Sequence, residues 1–137
     1  MEGFPFVYRE RVRFRDVDAM NHVNNAVFLT YLEQARFHFL EHLRLARREQ
    51  EPPLILARVE IDFRAPASFG DEVEIGVRAG RIGGKSFELE FELRAAERVV
   101  AEATSVQVGY DYGRGQTVEL SDEWREALAA TAVEPVR

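Results

Sequence analysis

The sequence predicts an α+β domain in which a curved antiparallel sheet of five strands wraps one long central helix, with a short helix near the C-terminus. Three observations carry this expectation. Apolar and charged residues alternate strictly through several consecutive segments, as strands with one wet face require. One earlier segment has apolar residues at spacings of three and four and is apolar on most sides in its first half. Only that one long helix is available to cover the sheet, so the sheet must curl around it.

The elements follow in order along 137 residues, a length that suits a single domain, residues 1–137, with a core of its own. Residues 4–15 read as a strand, with Tyr8, Val12 and Phe14 on one face and Arg9, Arg11, Arg13 and Arg15 on the other. A polar stretch, DVDAMNHVNN at residues 16–25, reads as a loop. From Asn24 or Asn25 to about Arg48 the pattern is helical, with Phe28, Leu32, Ala35, Phe39 and Leu43 on one face. Pro52 and Pro53 stop it, and the period then becomes two. Val59, Ile61 and Phe63 form one alternating set, Val73, Ile75 and Val77 a second, and Phe87, Leu89, Phe91 and Leu93 a third. A last strand runs from about Val99 to Tyr110, and Gly83-Gly84 marks a turn between two of the strands. Ser121, followed by Asp122 and Glu123, predicts the cap and first turn of the short helix.

Composition narrows the function. A net charge of −6 argues against general nucleic-acid binding, which needs a basic surface. It leaves room for a local basic patch. Cysteine is absent, so there is neither a disulfide nor a thiolate metal site, and a cytoplasmic location is expected. No apolar run approaches membrane-spanning length, so no membrane partner is expected.

The stretch DVDAMNHVNN admits three readings. Asn24 or Asn25 caps the helix, and Asp16 and Asp18 are turn residues. Alternatively, aspartate and His22 bind a metal. No second histidine lies nearby, since His38 and His42 are on the helix, so no metal or other cofactor is expected. The third reading is catalysis. A carboxylate beside a helix N-terminus supplies a base or nucleophile, and the free helix N–H groups supply an oxyanion site. Those two parts suffice for acyl transfer without serine or cysteine.

FRDVDAMNHVNNAVFLTYLEQAR, followed by RVEIDFRAPASFGDEVEI and RIGGKSFELEFEL, resembles the signature of hotdog-fold acyl-thioester hydrolases. These form the 4-hydroxybenzoyl-CoA thioesterase-like family, and the chain is most similar to its long-chain acyl-CoA thioesterase branch. The likeness covers residues 8–110 and rests on the order of Asp, His-Val-Asn-Asn and Glu-x-Ala-Arg. It implies the same helix-in-sheet fold and hydrolysis of an acyl-CoA, with a fatty acyl group favoured. By position it implies Asp18 as the catalytic carboxylate, the Asn25 backbone N–H as oxyanion donor, and His22 near the reacting centre. It implies binding roles for Asn24, Arg64, Arg81, Gly84, Lys85 and Ser86, the cationic ones toward the phosphates of CoA. The chain departs from the plant acyl-carrier-protein thioesterases at Met20, where those enzymes carry a further asparagine. The family's assemblies imply a homodimer or homotetramer with the active site between subunits. An unpaired edge strand points the same way.

Glu33 is a second candidate base, and the opposing reading pairs it with Arg36 one turn along the helix. Two alternatives to acyl-CoA hydrolysis remain at this point: a non-catalytic acyl-CoA binding module, and a thioesterase acting on acyl-carrier protein. An enoyl-CoA hydratase on this fold is excluded, because Asp18 and His22 lack the four-residue separation and the Asn-Pro that such enzymes use.

Overall fold

A computed structural model describes residues 1–47 and 52–132 of the chain. The elements are β1 (Phe6–Arg11), a 3-10 turn (Phe14–Asp16), α1 (Asn25–His42), β2 (Leu54–Phe63), β3 (Glu72–Ile82), β4 (Ser86–Ala95), β5 (Arg98–Asp111), a two-residue β6 (Gln116–Thr117) and α2 (Asp122–Ala129). The main sheet runs β1-β3-β4-β5-β2 with every neighbour antiparallel, and β6 extends β5 by two pairs. Consecutive elements β1 and β2 therefore occupy opposite edges, and α1 is the segment that crosses between them over the concave face.

The alternating apolar residues face that helix. Val73, Ile75 and Val77 of β3, Leu89, Phe91 and Leu93 of β4, and Ala101 and Ala103 of β5 are buried together with Phe28, Leu32, Ala35, Phe39 and Leu40 of α1. Burying each of the larger side chains stabilises the fold by roughly 1.5–3 kcal/mol. The opposite face of the sheet is charged and wet. Arg9 meets Glu74 at 3.0 Å, Arg78 meets Glu90 at 2.7 Å, and Arg64 meets Glu102 at 3.0 Å. Such exposed pairs contribute up to about 1 kcal/mol each, so the core, not the pairing, holds the sheet.

Three local expectations are corrected. The first strand stops at Arg11, and Phe14, expected on its apolar face, is 76% exposed at the start of the 3-10 turn. The turn forms because the Asp16 carboxylate accepts from the Arg13 backbone N–H at 2.9 Å and from the Tyr31 hydroxyl at 2.8 Å. The long helix ends at His42, six residues before the predicted Arg48, which lies outside the described residues. Its end is set by Arg44, which takes a left-handed φ of 63°, and by the Leu45 N–H returning to the Leu40 carbonyl at 2.8 Å. Phe63, expected to face the core, is 47% exposed at the end of an edge strand. Ser121 caps α2 as predicted, accepting from the Trp124 N–H. No helix among the described residues is long and apolar enough to cross a membrane.

Candidate active site

The loop before α1 is closed by a bridge between Val17 and Val23, and inside it the chain turns tightly. The Asp18 N–H donates to the His22 carbonyl at 2.8 Å, and the Asn21 N–H donates to the Asp18 carbonyl at 3.0 Å. Asn21 adopts φ 60°, a left-handed conformation that asparagine tolerates better than most residues. Its side-chain oxygen accepts from the Phe69 N–H at 3.1 Å, and the Val23 N–H reaches the Ala67 carbonyl at 2.8 Å. These bonds fasten the loop to the β2–β3 connection.

Within that loop the Asp18 carboxylate is held by one oxygen. Oδ1 accepts from the Met20 N–H at 2.9 Å and from the His22 N–H at 3.1 Å, while Oδ2 meets no donor among the described residues. The His22 and then the Met20 backbone bonds hold its pKa below the ordinary aspartate value, so the group is ionised at neutral pH. Asp16, two residues earlier, is differently used: its Oδ2 is committed to Arg13 and Tyr31. Burial, and then the Asp16 bond, push the Tyr31 hydroxyl above its ordinary value, which keeps it a donor.

The start of α1 lies against this loop. A helix leaves its first N–H groups without partners inside the helix. Here the Asn24 N–H donates to the Asp16 carbonyl at 2.9 Å, the Ala26 N–H to the Asn24 side chain at 2.8 Å, and the Val27 N–H to the Asn24 carbonyl at 2.9 Å. The Asn25 N–H alone of this group has no acceptor among the described residues. Asn24 is thus the cap, with its side-chain oxygen committed, and Asn25 opens the helix.

Asp18, His22, Asn24, Asn25 and Arg64 line one open cleft of about 480 Å³, joined by Val23, Phe28, Phe63, Ala65 and Pro66. Sequence reasoning named the polar members and did not assign Phe63, Ala65 or Pro66 to the site. Phe28 and Phe63 are in ring contact at 5.6 Å and form its apolar wall. The Arg64 guanidinium points to Glu102 at 3.0 Å and Asp62 at 3.6 Å.

The remaining candidates lie elsewhere in the chain. Arg81, Gly84, Lys85 and Ser86 surround the β3–β4 turn, closed by the Gly83 N–H donating to the Ser86 carbonyl at 2.7 Å. The Asp18 loop packs at the other end of β3. Eleven residues of strand separate the two, about 33 Å at a rise of ~3.3 Å per residue. One chain does not bring this turn to Asp18. Among the described residues, neither Arg81 nor Lys85 has a carboxylate at ion-pair distance, and a Cβ added at Gly84 would enter open space. Glu33 lies outside the cleft, on the side of α1 that faces β2, and it makes no ion pair with Arg36.

Known proteins resemble this chain. The chain is 31% identical to a 1,4-dihydroxy-2-naphthoyl-CoA hydrolase of Nostoc punctiforme over 86% of its own length and 82% of that protein's. It is 30% identical to the long-chain acyl-CoA thioesterase FadM of Escherichia coli, over 86% and 92% of the two chains. A crystal structure of a thioesterase from Thermus thermophilus, complexed with coenzyme A and zinc, superposes with a TM-score of 0.88 at 37% identity, covering 99% of this chain and 100% of that one. The fold is the hotdog, and residues 12–128 match the family described as the Thioesterase-like superfamily. With an ionised carboxylate and an unfilled helix-start amide in one cleft of that fold, the chain belongs to the thioesterase-like superfamily.

Proposed function

We propose that the protein hydrolyses acyl-CoA thioesters, with a fatty acyl group, to the carboxylic acid and free CoA. The observation that carries this reading is the pairing of an ionised Asp18, whose Oδ2 meets no donor among the described residues, with the Asn25 N–H at the helix start, which meets no acceptor among them. In this mechanism the Asn25 N–H receives the thioester oxygen as it gains negative charge, which polarises the carbonyl carbon. Asp18 Oδ2 then acts in one of two ways. It takes a proton from water as the water attacks, or it attacks the carbon itself to form a mixed anhydride that water later opens. In both, the carbon–sulfur bond breaks, CoA leaves as a thiolate that is reprotonated, and the acid departs with Asp18 ionised again. His22 borders the same cleft and hydrogen-bonds near the reacting centre; its backbone already holds the Asp18 carboxylate in place.

One feature of the cleft supports a fatty chain: Phe28 and Phe63 offer an apolar wall beside the carboxylate. The relative named as a long-chain acyl-CoA thioesterase adds weight.

The working unit in this reading is at least a dimer. β2 pairs with β5 on one side only, and Ile55, Leu56, Phe63 and Leu29 are exposed along its free side. A two-fold axis at that edge reverses the sheet end for end. It carries the partner's β3–β4 turn, with Arg81, Lys85, Gly84 and Ser86, to the end where Asp18 lies. The nucleotide of CoA then meets cations from the other subunit, near Arg64 and Asn24 of the first.

Initial rates of thiol release across acyl chain lengths, on CoA and on acyl-carrier protein, test the proposal. Rapid release from long-chain acyl-CoA is expected. Tight binding without release would select the non-catalytic acyl-CoA module, and preference for the protein carrier would select the acyl-carrier-protein reading.

A further inference from the structure

Arg36 is out of place within a single chain. It sits near the middle of α1, half-buried, on the helix face turned toward β2. Its guanidinium has no hydrogen bond or ion pair among the described residues. Desolvation lowers its pKa, and the fields of Glu33 and then of Tyr112, which borders the other side of the guanidinium with Leu54, only partly oppose this. Glu33 is one turn away on the same face and exposed, and it too has no ion pair among the described residues. A cation drawn partly out of water with no hydrogen-bonded carboxylate is costly, because its lost hydration is only partly offset.

The surroundings point to what is missing. Arg36 and Glu33 share their groove with Leu29, Leu56 and Val59. Leu29 and Leu56 belong to the apolar strip exposed along the free edge of β2. Leu56 and Val59 lie near the centre of the ten-residue β2, so Glu33 and Arg36 stand level with the middle of the unpaired edge. A two-fold axis through that middle gives the longest possible β2 pairing and sets the two copies of α1 antiparallel. On antiparallel helices related this way, a residue before the axis faces one after it. A negative and a positive side chain three positions apart, straddling the axis, are complementary to their own copies.

We propose that Glu33 and Arg36 form a reciprocal ion-pair lock, Glu33 of each subunit meeting the partner subunit's Arg36 across the two-fold at the β2 edge. The occupant of this surface is a second copy of the chain, and the lock rests on the dimer proposed above. It fixes the register of two apolar edges that would otherwise slide. The Glu-x-Ala-Arg spacing then serves assembly, and Glu33 is not the base of the reaction.

Charge exchange tests it. Glu33→Arg puts two arginines of each subunit against two of the other, and Arg36→Glu does the same with carboxylates. Each variant alone is expected to raise the dimer dissociation constant by about 100-fold or more, given the coupling seen for close interfacial charges. Mixing the two variants restores both attractive pairs and is expected to yield a heterodimer near wild-type affinity, read by sedimentation and native mass spectrometry. Pairing within one chain cannot produce that rescue. If either reversal fails to fold, Glu33→Gln and Arg36→Gln and their combination form a cycle without repulsion. Each alone should weaken the dimer, and the second should add little to the first.

Single variants that dimerise as wild type, or a mixture that stays monomeric, would overturn the lock while leaving the dimer standing. So would an unchanged dimer with altered acyl-chain preference, which would make Arg36 a wall of the acyl groove. A monomeric wild type with full thioesterase activity would overturn the shared-site dimer and the lock together, while the hydrolytic chemistry would survive.

Discussion

Asp18→Asn separates the chemistry of the loop from its architecture. The carboxamide has the shape of the carboxylate, and its oxygen still accepts from the Met20 and His22 N–H groups that now hold Oδ1. The loop's other anchors, Asn21 to Phe69 and Val23 to Ala67, do not involve the side chain at all. The fold and its thermal midpoint are therefore expected to stay close to wild type. What changes is Oδ2, whose place is taken by an NH₂ group that neither accepts a proton nor attacks a carbonyl. General-base assistance is worth about 10²–10⁴ in rate, so kcat should fall at least ~100-fold, with KM little altered. Asp18→Ala is the control for scaffold loss, since it removes both loop bonds as well as the charge. It should lower activity similarly but also loosen the loop, seen as faster amide exchange at Met20 and His22. Thiol release with a long-chain acyl-CoA, alongside thermal melts, supplies the readout. An Asn variant that retains kcat within about threefold of wild type would remove Asp18 from the mechanism.

Other outcomes are expected from the same geometry. Because the loop amides hold the Asp18 pKa below its ordinary value, the active, ionised form should persist as pH falls through the usual aspartate range. The acid limb of kcat/KM should accordingly lie below the ordinary aspartate range; a limb that stays in place in Asp18→Asn would remove Asp18 as its source. Tyr31→Phe deletes a buried donor to the Asp16 carboxyl group at 2.8 Å, so unfolding free energy should drop by about 1–3 kcal/mol in a denaturant titration. Asp16→Asn should reduce turnover less than Asp18→Asn, since Asp16 shapes the loop. Lys85→Ala should raise KM for acyl-CoA more than it lowers kcat, by an amount that shrinks in high salt, and should leave an acyl-pantetheine almost unaffected. Equal loss of kcat on both substrates would show that the turn is not a nucleotide clamp.

Much of the fold was legible because its two periods do not overlap. Residues such as Ile75 and Leu89 alternate with charges, while Phe28, Leu32, Ala35 and Phe39 recur at helical spacing, and each set is buried as that spacing requires. The misreadings have long-range or unmarked causes. Phe14 continues an apparent alternation, but the chain leaves the strand because Asp16 is bound by Tyr31, fifteen residues later. The helix stops before Arg48 because Arg44 turns left-handed, and an arginine there gives none of the warning a glycine would. Phe63 fits the core pattern of β2, but it ends that edge strand at the open cleft, where it packs on Phe28 and stays exposed.

The polar site was legible in kind and not in division of labour. Two aspartates, two residues apart, look equivalent in composition; the family resemblance singled out Asp18, and the hydrogen bonds supply a physical reason. Asp16 has Oδ2 bound to Tyr31, and Asp18 has Oδ2 open. The same distinction applies to the cations. Arg64, Arg81 and Lys85 are alike as sequence candidates for phosphate, yet Arg64 already faces Glu102 and Asp62, whereas the other two face no carboxylate among the described residues. An acidic protein binds a polyanion only where its positive charge is not already neutralised. Recruiting Arg64 means exchanging an exposed carboxylate contact for a phosphate, a small net gain, while Arg81 and Lys85 contribute their full attraction. The cations proposed to hold CoA are thus far along the sheet from the carboxylate proposed to act on its thioester. The proposed dimer, which brings one subunit's turn to the other's loop, would reconcile the two.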